Sequence, residues 1–118
     1  MRADGFSLGL TLTETQFVLV LTTLPATGNA EQVATQLVQE GLAACVNISA
    51  PMRSIYKWKG TLEGADELQL VIKTTLVRLP LLEARLKSLH PYDLPEFLVV
   101  PVIAGSRDYL SWVAESTA

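Results

Sequence analysis

Apolar and polar positions divide the chain into alternating strand and helix segments. Residues 17–25, "FVLVLTTLP", form a continuous apolar run, β-branched in part and closed by proline. Such a run predicts a central strand covered on both faces. "ATGN" is then a turn, with Asn29 as a helix N-cap and Gln32 three residues later completing a capping box. Val33, Leu37 and Val38 share one side of the helix that follows. Gly41 stands where that helix should end, and Leu42 can fold back over its last turn. "LAACVNI" resumes as a strand.

In "PMRSIYKWKG" the alternation puts Tyr56 and Trp58 on one face and Ile55, Lys57 and Lys59 on the other. "TLEGAD" reads as a polar turn, and "ELQLVIKT" places Leu68, Leu70 and Ile72 on a common face. The result is a β-hairpin longer than the core of so small a domain requires, which suggests that it pairs with another subunit. A second helix begins near Pro80 and carries Leu82, Leu86 and Leu89 at helical spacing. Pro91 biases the preceding residue away from helical geometry, so His90 falls at or just past the helix end. "EFLVVPVI" is another strand. A short terminal helix follows, with Ser106 as cap, Asp108 in its first turn, and Tyr109, Trp112 and Val113 as the buried stripe. The order βαββαβ plus a final helix is that of an α+β, ferredoxin-like domain. Residues 1–16 read as a flexible leader, and residues 17–118 as one domain.

Composition sharpens this. The chain has 118 residues, 49% of them apolar, with a mean hydropathy of +0.32. No apolar run is long enough to span a bilayer, so the excess points to burial between subunits rather than in a membrane. A net charge of −3 lacks the basic footprint of a nucleic-acid binder. The single Cys45 excludes an intrachain disulfide and any Cys-x-x-Cys motif. The expected setting is cytoplasmic, with no nucleic-acid or membrane partner.

"EGLAACVNI", "SIYKWKG", "LVIKTT", "LHPYDLPE" and "DYLSWV", in this order, closely resemble the CutA family of divalent-cation tolerance proteins. The resemblance covers residues 17–117. It implies a homotrimer similar in assembly to the nitrogen-regulatory PII trimers, with the long hairpin packing across subunits. It also implies a link to copper tolerance and divalent-metal binding, and no agreed catalytic activity, so an enzyme is not inferred. Copper ligands proposed for the family map onto Thr22 and the pair Leu89-His90. Only His90 is retained as a ligand type, so any bound copper or other divalent cation should be held weakly.

The residues themselves leave two readings of His90 open. It can ligate a metal, helped by a carboxylate such as Asp93 or Glu96, or it can end the helix by bonding to nearby backbone. Cys45, in "AACV", is expected to be a small buried hydrophobe, with a ligand role as the alternative. Lys73 faces either Glu96 or an anionic ligand. Tyr56, Trp58, Tyr92, Glu96, Trp112 and Lys73 are the candidate lining of a cleft. Two function classes follow: a non-enzymatic trimer binding divalent metal weakly in metal-ion homeostasis, or a PII-like signalling module binding a small anionic ligand between subunits. An acylphosphatase-type enzyme would need a basic anion loop after the first strand, and "TLPATGN" contains no Arg or Lys.

Overall fold

The computed structural model describes residues 10–118, with side chains from Gln16 onward. The elements are β1 (Leu10–Pro25), α1 (Ala30–Gln39), β2 (Cys45–Ile48), β3 (Met52–Trp58), β4 (Thr61–Thr75), a 3₁₀ turn (Leu76–Arg78), α2 (Leu79–Leu89), β5 (Leu98–Ser106) and α3 (Arg107–Ser116). All strand pairs are antiparallel, in the order β2-β4-β1-β5, with β3 continuing the lane of β2 along β4. This is the ferredoxin-like α+β arrangement expected from the sequence.

Alternation along the two central strands builds the core. Val18, Val20 and Leu24 of β1 and Leu70 and Ile72 of β4 turn to one face, where they meet Val33 and Leu37 of α1 and Leu82 and Leu86 of α2. None of these nine is more than 2% exposed. The alternate residues form the outer face. There Val100, Leu19, Lys73 and Cys45 stand in one cross-strand row and Leu98, Leu21, Val71 and Asn47 in the next. Helix α3 is capped by the Ser106 hydroxyl, which accepts from the Tyr109 N–H at 3.2 Å.

Several expectations change. β1 begins at Leu10, so the supposed leader of residues 1–16 runs into a strand that pairs with β5 from Leu10↔Ser106, while residues 1–9 lie outside the described part. The second strand is split in two around Pro51, which has no N–H for a ladder. At the break the Ser49 hydroxyl accepts from the Gln69 N–H at 2.7 Å.

"TLEGAD" is not a turn but the start of β4. The chain reverses instead at Lys59-Gly60, with φ of 51° and 82°, a two-residue connection matching the twist of long strands. Gly64 serves a different purpose: a Cβ there would lie 2.6 Å from the Arg53 guanidinium, which reaches across to Asp66 at 3.1 Å. β5 begins at Leu98, which leaves Glu96 and Phe97 in the preceding loop.

The helix stripes also shift. Asn29 precedes α1 at φ −108°, ψ 38°, outside the extended geometry that aims a capping side chain, and it makes no side-chain cap. Val38 is 42% exposed, and Ala30, Ala34, Val33 and Leu37 carry the buried side. In α3, Leu110 and Val113 are buried, whereas Tyr109 and Trp112 are exposed. The end of α1 is as expected. Gly41 has φ +71°, its N–H donates to Val38 O, and the Leu42 N–H donates to Leu37 O, both at 3.0 Å. Arg85 of α2 adds a two-pronged bond to the Glu40 carboxylate beside this turn.

Gly41→Ala should lower stability by about 1 kcal/mol, because a Cβ is disfavoured at this left-handed position. Nothing lies within 4 Å of a Cβ built there, so a steric contribution is not expected. Denaturant unfolding of both proteins measures the difference.

Candidate ligand groove

Pro91 sets the geometry at the end of α2. It holds His90 extended, at φ −87° and ψ 137°, and the chain turns off the helix toward the outer sheet face. His90 is 9% exposed. Its Nε2 donates to the Thr23 carbonyl at 2.6 Å, and its Nδ1 accepts from the Tyr92 N–H at 3.1 Å. A carbonyl can only accept, so the hydrogen belongs on Nε2 and the lone pair on Nδ1. Both ring nitrogens are therefore occupied within the chain. The Tyr92 ring leans on the imidazole at 4.8 Å between centroids, and its hydroxyl donates to Glu67 Oε2 at 2.7 Å.

These contacts lay residues 91–97 over one end of the outer face and create a groove of ≈ 830 Å³ between this loop and the hairpin. Met52, Tyr56 and Trp58 come from β3, where alternation puts them on one side. Glu63 and Glu67 come from β4, and Tyr92, Asp93, Glu96 and Phe97 from the loop. Glu67 is only 7% exposed. No Lys or Arg lines the groove among the described residues.

The electrostatics follow from this crowding of acids. Burial, and then the charge of Glu67, raise the Glu96 carboxyl above its ordinary value. The Tyr92 phenol is pushed up to about 12, first by burial, then by its bond to Glu67 and the charge of that carboxylate, with a smaller contribution from Tyr56.

Within the single chain Tyr56, Trp58, Tyr92 and Glu96 line one groove, and Lys73 and Trp112 do not line it. Lys73 shares the outer face, yet it is six residues beyond Glu67 along β4, roughly 20 Å at the usual strand rise. Its ammonium sits 5.7 Å from the Tyr109 ring centroid, and Tyr109 packs on Trp112 at 5.4 Å. No Lys73–Glu96 ion pair forms among the described residues. Cys45, expected to be buried, is half-buried on the outer face opposite Lys73.

The sequence reading missed Glu63 and Glu67 as groove residues and named Asp93 only as a possible partner of His90. Glu67 had a usable signal, since it stands at odd spacing to the core residues of β4 and so faces outward. Nothing local revealed the loop that covers it.

The positions where the resemblance implied copper ligands hold one imidazole and no thiolate. Thr22 is fully buried and its Oγ1 has no hydrogen-bond partner among the described residues, Leu89 packs against the core, and His90 bonds to Thr23 and Tyr92. No group of three His, Cys, Asp or Glu side chains is arranged to hold a metal among the described residues.

Residues 18–116 match the model of the family described as "CutA1 divalent ion tolerance protein". The chain belongs to the CutA family. The divalent-cation tolerance protein CutA of Thermus thermophilus is 46% identical over 99 residues, covering 84% of this chain and 96% of that protein. Its counterpart in Escherichia coli is 43% identical over 102 residues, covering 86% and 91%. Among solved structures, CutA from Synechococcus elongatus superposes with a TM-score of 0.86 at 41% identity, covering 92% of this chain and 96% of that one. The Thermus thermophilus structure gives 0.83 at 44% identity, covering 86% and 99%.

This CutA chain tolerates an ionisation penalty at Glu96. The folded state holds that proton to higher pH than the unfolded chain does. The stability linked to it is therefore complete below the ordinary carboxyl range and is lost as pH rises through the raised value. Glu96→Gln should unfold at a higher temperature than wild type at neutral pH, with the gap closing in acid. Thermal melts across that range provide the check.

Proposed function

We propose that this CutA protein acts in divalent-cation tolerance as a non-enzymatic homotrimer, and that the groove beneath residues 91–97 is its ligand site. The carrying observation is the lining itself: Glu63, Glu67, Asp93 and Glu96 converge there, without a basic side chain among the described residues. Such a surface favours cations and repels anions. It supports weak binding of copper or another divalent metal over the PII-like alternative of a small anionic ligand. With no preassembled set of three donors among the described residues, a metal there keeps much of its hydration, and affinity stays low. His90 positions the loop rather than the metal.

The trimer reading rests on the outer face and the hairpin. Val100 is 39% exposed and Leu62 73%, outside the groove, an apolar surface left open on a single chain. The described residues span 52 × 29 × 24 Å, with β3 and the first half of β4 paired only with each other. Three copies related by a closed symmetry axis can cover both features. We place the protein in the cytoplasm, where the lone Cys45 stays reduced. No helix among the described residues is long and apolar enough to cross a membrane.

Sedimentation at low micromolar concentration should give a trimer, and Val100→Glu on the outer face should dissociate or unfold it. A wild-type monomer would refute the assembly.

Calorimetric titration should show weak Zn(II) or Cu(II) binding and none of a nucleoside triphosphate. His90→Ala should lose about 2 kcal/mol of stability from its two hydrogen bonds while keeping that metal binding. Loss of binding in a folded His90→Ala trimer would instead make His90 a ligand.

A further inference from the structure

The groove is much larger than a metal ion needs and is only partly acidic. At ≈ 830 Å³ it falls in the range of sites that enclose a small organic molecule. One wall is aromatic, with Tyr56 and Trp58 on β3 facing Tyr92 and Phe97 of the loop. The other carries Glu67, whose burial is nearly complete. Glu67 Oε2 is taken by the Tyr92 hydroxyl, while its Oε1 stays open to the groove, where it can accept from water or a ligand. A carboxylate oxygen held open beside buried neighbours is a strong acceptor for a cationic donor entering the groove. Glu96 crowds the same space, as the influence of Glu67 on its carboxyl shows.

A ligand that satisfies both walls must bring positive charge, N–H donors and an apolar body. A hydrated metal ion provides the charge and, through its waters, O–H donors, but no apolar body. An aliphatic ammonium provides all three, and its cationic end is attracted to aromatic faces as well as to carboxylates. The chain already shows that pairing at the mouth of the hairpin, where Lys59 Nζ lies 5.8 Å from the Trp58 ring centroid.

We infer that the groove is a binding site for a small organic cation, an aliphatic mono- or diamine, with Glu67 and Glu96 receiving the ammonium and Tyr56, Trp58 and Tyr92 holding its hydrocarbon. This deepens the reading of the groove as the cation site and rests on it.

The test uses the full-length protein with 1,4-diaminobutane as probe, 1,4-butanediol as the uncharged control and Zn(II) as a parallel titrant. Calorimetry and the fluorescence of Trp58 in a Trp112→Phe background provide the readouts. Saturable binding of the diamine, absent with the diol, is expected. Glu67→Gln and Glu96→Gln should each weaken it by about tenfold or more, as loss of a charge-assisted hydrogen bond does. Lys73→Ala, at the far end of the face, should leave it unchanged. Sedimentation of each variant confirms that the assembly persists, and Glu96→Gln serves if Glu67→Gln does not fold. Zn(II) binding without diamine binding would overturn this inference and leave the cation reading standing. Diamine binding unaffected by either carboxylate variant, or matched by the diol, would also overturn it. Failure of both cations would remove the two readings together.

Discussion

The alternation of β4 is the constraint on which the rest of the molecule depends. This strand alone touches β1, β2 and β3, and its 15 residues run from the hairpin turn to the 3₁₀ turn before α2. Leu70 and Ile72 go to the helix-covered face, fully excluded from water, and Val71 and Lys73 go to the other. A shift of one residue would put the Leu70–Ile72 set in solvent and the Lys73 charge in the core, so the register is held strongly. The same alternation turns Glu67 outward under the loop. One strand thus supports the core with its even positions and the groove with its odd ones.

His90 joins the two. Pro91 ends α2 and forces an extended backbone, and the imidazole then bridges Thr23 on β1 and Tyr92 in the loop. This gives the single histidine of the chain a structural role. Its nitrogens are spent on backbone groups that would otherwise lie unpaired at a sheet end, a common need where a loop is pressed onto a sheet. Thr22 and Leu89, at the other positions where the resemblance implied copper ligands, complete a core layer rather than a donor set. What remains for ligand chemistry is the crowd of acids and rings beneath the loop, where burial and mutual repulsion keep Glu96 reluctant to ionise. A site holding charge at a cost to stability is a frequent mark of function.

The two faces of the sheet also divide the molecule's tasks. The helix side holds the core. The outer side is closed only at its ends, by α3 with Tyr109 and Lys73 near one and by the residue 91–97 loop at the other. Between them Leu19, Leu21, Val71, Leu98 and Val100 form a band that is half-buried to exposed in a single chain.

The sequence by itself determined the element order, the core residues and the end of α1. These depend on neighbours a few positions apart: the period of two in the strands, the spacing of Leu82 and Leu86, and Gly41 where the backbone needs a left-handed residue. It mistook Gly64 for a turn because a glycine reads alike whether it bends the chain or makes room for Arg53. It placed Tyr109 and Trp112 in a buried stripe because aromatic spacing does not say which side of a helix meets the sheet. Only the tertiary structure decided the groove. The bond from His90 to Thr23 spans 67 positions and the one from Tyr92 to Glu67 spans 25. No local pattern encodes contacts that arise only once β1, β4 and the loop after α2 have been folded against one another.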